Sequence, residues 1–192
     1  MIRELALAVL VAAAAPALAT PVSEEVRVEA DGTTTLSHQV VIAAAPHDVW
    51  AAISSLDGWK TWAVPIGWVS AEQPNVIETS YNPAARPGDA MNIKNEFVSA
   101  VPGRQLVFRT IKAPKGFPHF DALSKISQRF ELAPEGNATR VTLTGTGYAS
   151  SEPGQAVLTF LRGGNKVSLE MLRERLEKGP VDWAQKLRRP LK

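Results

Sequence analysis

The stretch from Ser37 to Trp62, SHQVVIAAAPHDVWAAISSLDGWKTW, constrains the fold more than any other part of the chain. Leu36, His38, Val40 and Ile42 recur at the period of two that puts one face of a strand against a core. Pro46 ends that strand and suits the first turn of a helix, where its missing N–H costs nothing. Asp48 follows in that turn, where the helix dipole favours negative charge. Val49, Trp50 and Ile53 then form the expected buried face, and Asp57-Gly58 is the expected stop. A core strand feeding a short helix is a folding signature and carries no catalytic content by itself.

The run V-x-I-x-A-x-P-x-D-V-W-x-A-I-x-x-L-D-x-W-x-x-W, from Val40 to Trp62, resembles the N-terminal signature of the START/SRPBCC (Bet v 1-like) superfamily. Within it, the run resembles the domains similar to the C-terminal part of the heat-shock-90 ATPase activator. The resemblance implies an α+β helix-grip fold, in which a curved antiparallel sheet wraps a long C-terminal helix around a hydrophobic cavity. It would cover about Thr33 to Gly179, and it leaves ligand and chemistry open.

The first nineteen residues read as a cleavable signal peptide. Arg3 is the positive end, Leu5 to Ala15 is an apolar run, and Ala17-Leu18-Ala19 is a small-x-small cleavage pattern. The run is shorter than the ~20 residues that span a bilayer, so a periplasmic or secreted protein starting at Thr20 is expected, with no transmembrane segment. Thr20 to Lys192 is one domain's worth of chain, with a core near 33–179 and a tail over 180–192. The chain has no cysteine, which excludes thiol nucleophiles, iron–sulfur clusters and a lipid anchor at the cleavage site. The basic run from Lys186 to Lys192 reads as a solvated end, not a nucleic-acid or lipid contact.

Val22, Val26 and Val28 alternate before an Asp31-Gly32 turn, so this segment is either an edge strand or a loose arm. Ala63 to Trp68 is expected to be irregular because Pro65 and Gly67 interrupt it. Asn75 to Tyr81 reads as a strand with Ile77, Thr79 and Tyr81 on one side. The turn cluster 82–89 leads to a strand over Met91 to Val101, with Met91, Ile93, Asn95 and Phe97 inward and Asn92, Lys94 and Glu96 outward. Hairpins at Pro102-Gly103-Arg104 and at 134–137 bracket strands that carry Phe108, then Ile126, Gln128, Phe130 and Leu132, then Val141, Leu143, Gly145 and Gly147. Glu152 to Gly179 is the long helix, with Val157, Phe160, Leu161, Leu169, Leu172 and Leu176 as its buried stripe. Gly163-Gly164 in its middle either kinks the helix beside a cavity, allows close packing on the sheet, or divides it in two.

No HExxH, His-x-His or EF-hand pattern accompanies the three histidines, and no nucleophile elbow or phosphate loop is present, so no metal or cofactor is expected. His38 shares the face of Val40 and Ile42: it either lines a cavity or sits at a wet strand end. His119 lies with Phe117 and Phe120 in a loop longer than a hairpin needs, which is either a lid or a plug. Trp59, Trp62 and Trp68 are candidates for a cavity mouth or its structural floor. The inward amides Asn95, Gln128 and Asn165 are either ligand-orienting groups or satisfied core amides.

The expected binding residues are therefore His38, Trp62, Trp68, Phe117, His119 and Phe120 from the strand end and loops. Tyr81, Met91, Ile93, Asn95, Phe97, Phe108, Gln128 and Phe130 would come from the sheet, and Phe160, Leu161, Asn165 and Leu169 from the helix. The function this favours is an exported binder of a hydrophobic or aromatic small molecule or a lipid. The alternative is a cyclase/aromatase or hydrolase type of enzyme, with His38, His119, Glu78 or Glu96 as acid–base groups. A protein-binding module is a third class, which a signal peptide disfavours. Oligomeric state is left open.

Overall fold

Strand β2 (Thr34–Ile42) holds the centre of the fold, with Leu36, His38, Val40 and Ile42 all buried as its alternation requires. The computed structural model describes residues 21–188. The expected signal segment 1–19, its expected cleavage site and residues 189–192 lie outside them.

The strands β1 (Ser23–Val28), β2, β3 (Ile66–Val69), β4 (Val76–Ser80), β5 (Ile93–Val101), β6 (Gln105–Lys112), β7 (Ser127–Glu135) and β8 (Ala138–Tyr148) form one sheet in the order β1-β2-β8-β7-β6-β5-β4-β3. Every pairing is antiparallel, and register shifts in β5 near Asn95 and Val98 add bulges, which bend and twist a strand. The curved sheet and the long helix α4 (Glu152–Lys178), which packs across β2 and β8, make the helix-grip architecture. The short helices α1 (Pro46–Ile53), α2 (Leu56–Lys60), α3 (Phe120–Leu123) and α5 (Trp183–Arg188) complete it.

The region after β2 differs from expectation. Helix α1 buries Val49, Ala52 and Ile53, while Trp50 is only half-buried at the core's margin. Asp57 and Gly58 lie inside α2 and do not stop α1. Ser55 caps α2 by accepting from the Gly58 N–H at 3.1 Å. Gly58 is needed for close approach, since a Cβ there would meet the Ala51 carbonyl oxygen at 2.3 Å. Of the stretch 63–68 expected to be irregular, residues 66–68 belong to the edge strand β3, where a preceding proline is tolerated.

Residues 23–28 form the opposite edge strand. Glu24 fastens it by accepting from both the Arg162 side chain on α4 and His38 Nε2, the latter at 3.2 Å. At the end of β8, Gly145 leaves room for the buried Tyr148 ring: a Cβ there would lie 2.3 Å from the phenolic oxygen. Gly147, expected inward, has φ 92 and is exposed, because the strand departs from its alternation there. Helix α4 runs unbroken through Gly163-Gly164, so the chain has one long helix there. Phe160 is largely exposed and Leu176 half-buried, so the stripe is carried by Val157, Leu161, Asn165, Leu169 and Leu172. Beyond α4, Trp183 Nε1 donates to the Lys60 carbonyl at 2.7 Å and ties α5 to α2.

Both faces of β4 are buried, which a half-buried strand would not show. The loop 81–92 folds over the outer face and is pinned by Glu78, whose Oε1 accepts from Gly88 N at 2.7 Å and Asn92 Nδ2 at 2.8 Å. Asn92 does point outward, as expected, but the loop buries it completely. Burial pushes the Glu78 carboxyl up, yet the Asn92 and Gly88 hydrogen bonds, with Lys94 and Lys112, outweigh it and leave the pKa below 4.5. A depressed carboxyl contributes stability that is present above the unfolded-state pKa and is lost as pH falls through the folded-state pKa. Urea titrations at stepped pH are expected to show wild-type stability falling below about pH 4.5. Glu78→Gln should be less stable at neutral pH and fall less steeply. Parallel curves would show that Glu78 does not hold the loop as an anion.

Candidate functional site

Between the inner sheet face and α4 lies a cavity of about 430 Å³. Its floor is built by strand alternation: Thr79 on β4, Ile93 and Asn95 on β5, Phe108 and Thr110 on β6, Gln128 and Phe130 on β7, and Leu143 on β8. Its inner end is formed by Trp59 of α2 and by Trp62, Ala63 and Val64 of the turn after it, with both indoles held by hydrogen bonds. Trp59 Nε1 donates to the Ile53 carbonyl at 2.7 Å and Trp62 Nε1 to the Ala52 carbonyl at 2.9 Å. The roof is α4, through Leu161, Asn165, Ser168 and Met171.

The mouth lies where the lining residues become exposed: Tyr81 at 61%, Phe160 at 55% and Val167 at 53%. Phe160, Gly163, Gly164 and Val167 fall at i, i+3, i+4 and i+7, one face of the helix. A Cβ on Gly163 or Gly164 would meet nothing within 4 Å. The glycine pair is therefore a notch over bare helix backbone, with no close packing on the sheet.

The polar groups of this wall are hydroxyls and amides. Asn95 Oδ1 accepts from Thr110 Oγ1 at 2.9 Å. Asn165 is 4% exposed, and its Nδ2 has no hydrogen-bond partner. Among the described lining residues there is no Asp, Glu, Lys, Arg or His. A larger groove of about 790 Å³ lies on the outer sheet face, lined almost wholly by charged, hydroxyl and amide side chains. Ser37 Oγ and Thr144 Oγ1 lie 3.1 Å apart, and Gln39 Nε2 donates to Thr142 Oγ1 at 3.1 Å, so it reads as a solvated surface.

Of the residues expected at the site, Trp62, Tyr81, Ile93, Asn95, Phe108, Gln128, Phe130, Phe160, Leu161 and Asn165 line the cavity. The others do not, each for a local reason. His38 is neither in the cavity nor at a wet end: β1 and α4 cover it, leaving it 1% exposed. Burial pushes its imidazole below 6.5, although the Glu24 carboxylate pulls the other way. Trp68 pairs with Glu78 and so shares the outer face. Met91 precedes β5 and is exposed, and Phe97 is half-buried and packs on Trp59 at 5.9 Å, against the main core. Phe117 and Phe120 pack against a second cluster with Leu123, Ile126 and Tyr148, and Phe117 also meets the mouth residue Phe160 edge-on at 5.1 Å. His119, at φ 58, begins α3 and stands 3.9 Å from Glu152. Leu169 is wholly buried in the main core.

The lining also includes residues that sequence reasoning left out of the site, notably Thr79, Thr110, Gly163, Gly164, Ser168 and Met171. Helix spacing from Gly164 to Ser168 and Met171 carried a signal, whereas Thr110 required the β5–β6 register.

The family described as polyketide cyclase / dehydrase and lipid transport matches residues 33–177. The solved structures similar to this one include the Aha1 dimer from Colwellia psychrerythraea, at 18% identity and TM-score 0.56, covering 76% of this chain and 97% of that one. CalU16 from Micromonospora echinospora is 16% identical, with TM-score 0.56 and coverage of 88% and 91%. Ms6760 from Mycobacterium smegmatis is 16% identical, with TM-score 0.57 and coverage of 82% and 98%. At these identities the likeness concerns the fold alone. No curated protein matches the chain. The match over 33–177, carried on a sheet that grips one long helix above a cavity, makes the chain a member of the polyketide cyclase / dehydrase and lipid transport family, a ligand-binding domain of the SRPBCC superfamily.

Proposed function

We propose that this protein is an exported carrier or sensor that holds a hydrophobic or aromatic small molecule, or a lipid, with its buried part uncharged. The observation that supports it most is the cavity wall: apolar and aromatic side chains, a few amides and hydroxyls, and no ionisable acid–base group of the His or carboxylate kind. An ion held there would lose its hydration with no opposite charge to replace it. Apolar burial supplies the affinity, about 25 cal/mol per Å². Export rests on Arg3, the apolar run from Leu5 to Ala15 and Ala17-Leu18-Ala19.

The enzyme reading needs an acid or base at the ligand. His38 and Glu78 are buried elsewhere, Glu96 pairs outward with Arg109 at 2.6 Å, and His119 stands near Glu152. Native mass spectrometry of the protein from the exported fraction, followed by denaturing extraction, tests both parts. The expected result is a chain beginning at Thr20 with a releasable neutral hydrophobic molecule. An apo mass together with no binding of Nile red would overturn the carrier reading. A chain that retains residues 1–19 would overturn export alone.

A further inference from the structure

His38 marks a polar seam in the core. On β2 it lies between Leu36, which belongs to the cluster around Tyr148, and Val40, which belongs to the main core. In the same way Gln128 separates Ile126 from Phe130 on β7, and Asn165 separates Leu161 from Leu169 on α4. Of these three side chains only His38 titrates. It is 1% exposed, and its Nε2 lies 3.2 Å from the Glu24 carboxylate of β1. A carboxylate only accepts, so the imidazole proton sits on Nε2. Nδ1 is buried with no partner among the described residues. A second proton on the ring would therefore make an N–H without an acceptor, closed in by a strand and a helix.

Glu24 is also the polar tie between β1 and α4, because Arg162 Nε donates to both its oxygens at 2.8 Å. Val26 and Val28 follow on the same side of β1 and stay 44% and 71% exposed, so backbone pairing with β2 holds the rest of this edge. The other charges facing His38 are Arg162 and Lys166 of α4, which oppose an imidazolium, while β8 sets the uncharged Leu143 beside it. We propose that β1 is an acid-released strap: on protonation of His38, Ser23–Val28 detaches from β2 and α4 while the rest of the sheet stays folded. Release lets the imidazolium reach water, uncovers the edge of β2, and frees the Arg162 guanidinium beside the Gly163-Gly164 notch. Burial, the largest influence, holds the closed imidazole below 6.5 despite Glu24. The closed strap thus binds fewer protons than the open one and loses stability as pH falls below about 6.5. Glu24, chiefly through Arg162, and also Glu29 and Asp31 are held below their ordinary carboxyl range, so they stay anions above pH ~5.

Amide hydrogen exchange of the protein, followed by NMR between about pH 7.5 and about pH 5.0, tests the strap through protection factors, which refer each rate to the free chain at the same pH. Opening of the β1–β2 pairs is expected to rise by up to about thirty-fold, the limit for an imidazole of ordinary pKa in the open strap, while β7 and β8 keep their protection. His38→Gln keeps a donor toward Glu24 and does not titrate, so its strap should stay closed in acid. Glu24→Gln breaks the tie without entering the core, and should open the strap about five-fold even at neutral pH. Constant β1 protection in wild type would overturn the proposal, as would acid release that persists in His38→Gln. It also falls if Glu24→Gln is as closed as wild type at neutral pH, or if β7 and β8 lose protection together with β1. Should His38→Gln fail to fold, the wild-type titration and Glu24→Gln decide by themselves.

Discussion

Trp59→Ala is expected to cost about 3–5 kcal/mol of folding stability, the range for removing a buried large aromatic. The ring touches Trp62, Phe97 and Phe108 with centroids 6.0, 5.9 and 5.7 Å away, so three aromatic contacts go at once. The indole N–H also leaves, and the Ile53 carbonyl at the end of α1 loses its partner inside the core. For a domain of this size the loss corresponds to a melting point lower by about 10–15 °C. Trp50→Ala, at the core's margin, should cost less than half as much. Equal losses in urea unfolding would mean that Trp59 is not the hub of the cluster.

Replacing both Gly163 and Gly164 by alanine should move stability and binding in opposite directions. Each glycine costs a helix interior about 1 kcal/mol relative to alanine, and neither new methyl group would meet a neighbour. The double variant should therefore be more stable by up to about 2 kcal/mol in a solvent denaturation curve. Its methyl groups would also narrow the mouth, and Gly164→Phe would close it. Nile red affinity should weaken in the alanine pair and fall at least ten-fold in Gly164→Phe, with the fold retained. Stability exchanged against an open site is a familiar trade. A destabilised alanine pair would refute the notch, because it would mean the glycines serve the backbone.

Much of this architecture could be read from local pattern. The alternation through Ile42 identified the central strand, the leucine spacing from Leu161 to Leu172 identified the helix, and the turns at Gly103 and Gly136 marked two hairpins. What escaped was whatever depends on a distant neighbour. Strand parity separates Glu78 from Thr79, but it does not reveal that a loop will cover Glu78 as well. His38 lay on the correct face, yet its burial depends on β1 and on Arg162 holding Glu24. Trp68 was misassigned for the converse reason, since its face is set by pairing with Glu78, and an aromatic residue reads the same on either side. The cavity was legible as a consequence of the fold, whereas the absence of charge on its wall emerged only when five strands, a turn and the long helix were assembled.

The order of the strands bears on when the chain can fold. Strand β2 pairs with β8, so Ser37 meets Thr144 across a separation of 107 residues. That pairing requires a long loop to close, an entropic barrier that makes such topologies slow to nucleate. During synthesis the N-terminal third must wait, its apolar face unmatched, until the last strand and the gripping helix emerge. For a chain proposed to be threaded unfolded across a membrane, the wait is useful: a domain whose first core strand is completed by its last strand stays loose long enough to be exported. It also exposes that face to chaperones and aggregation in the interval.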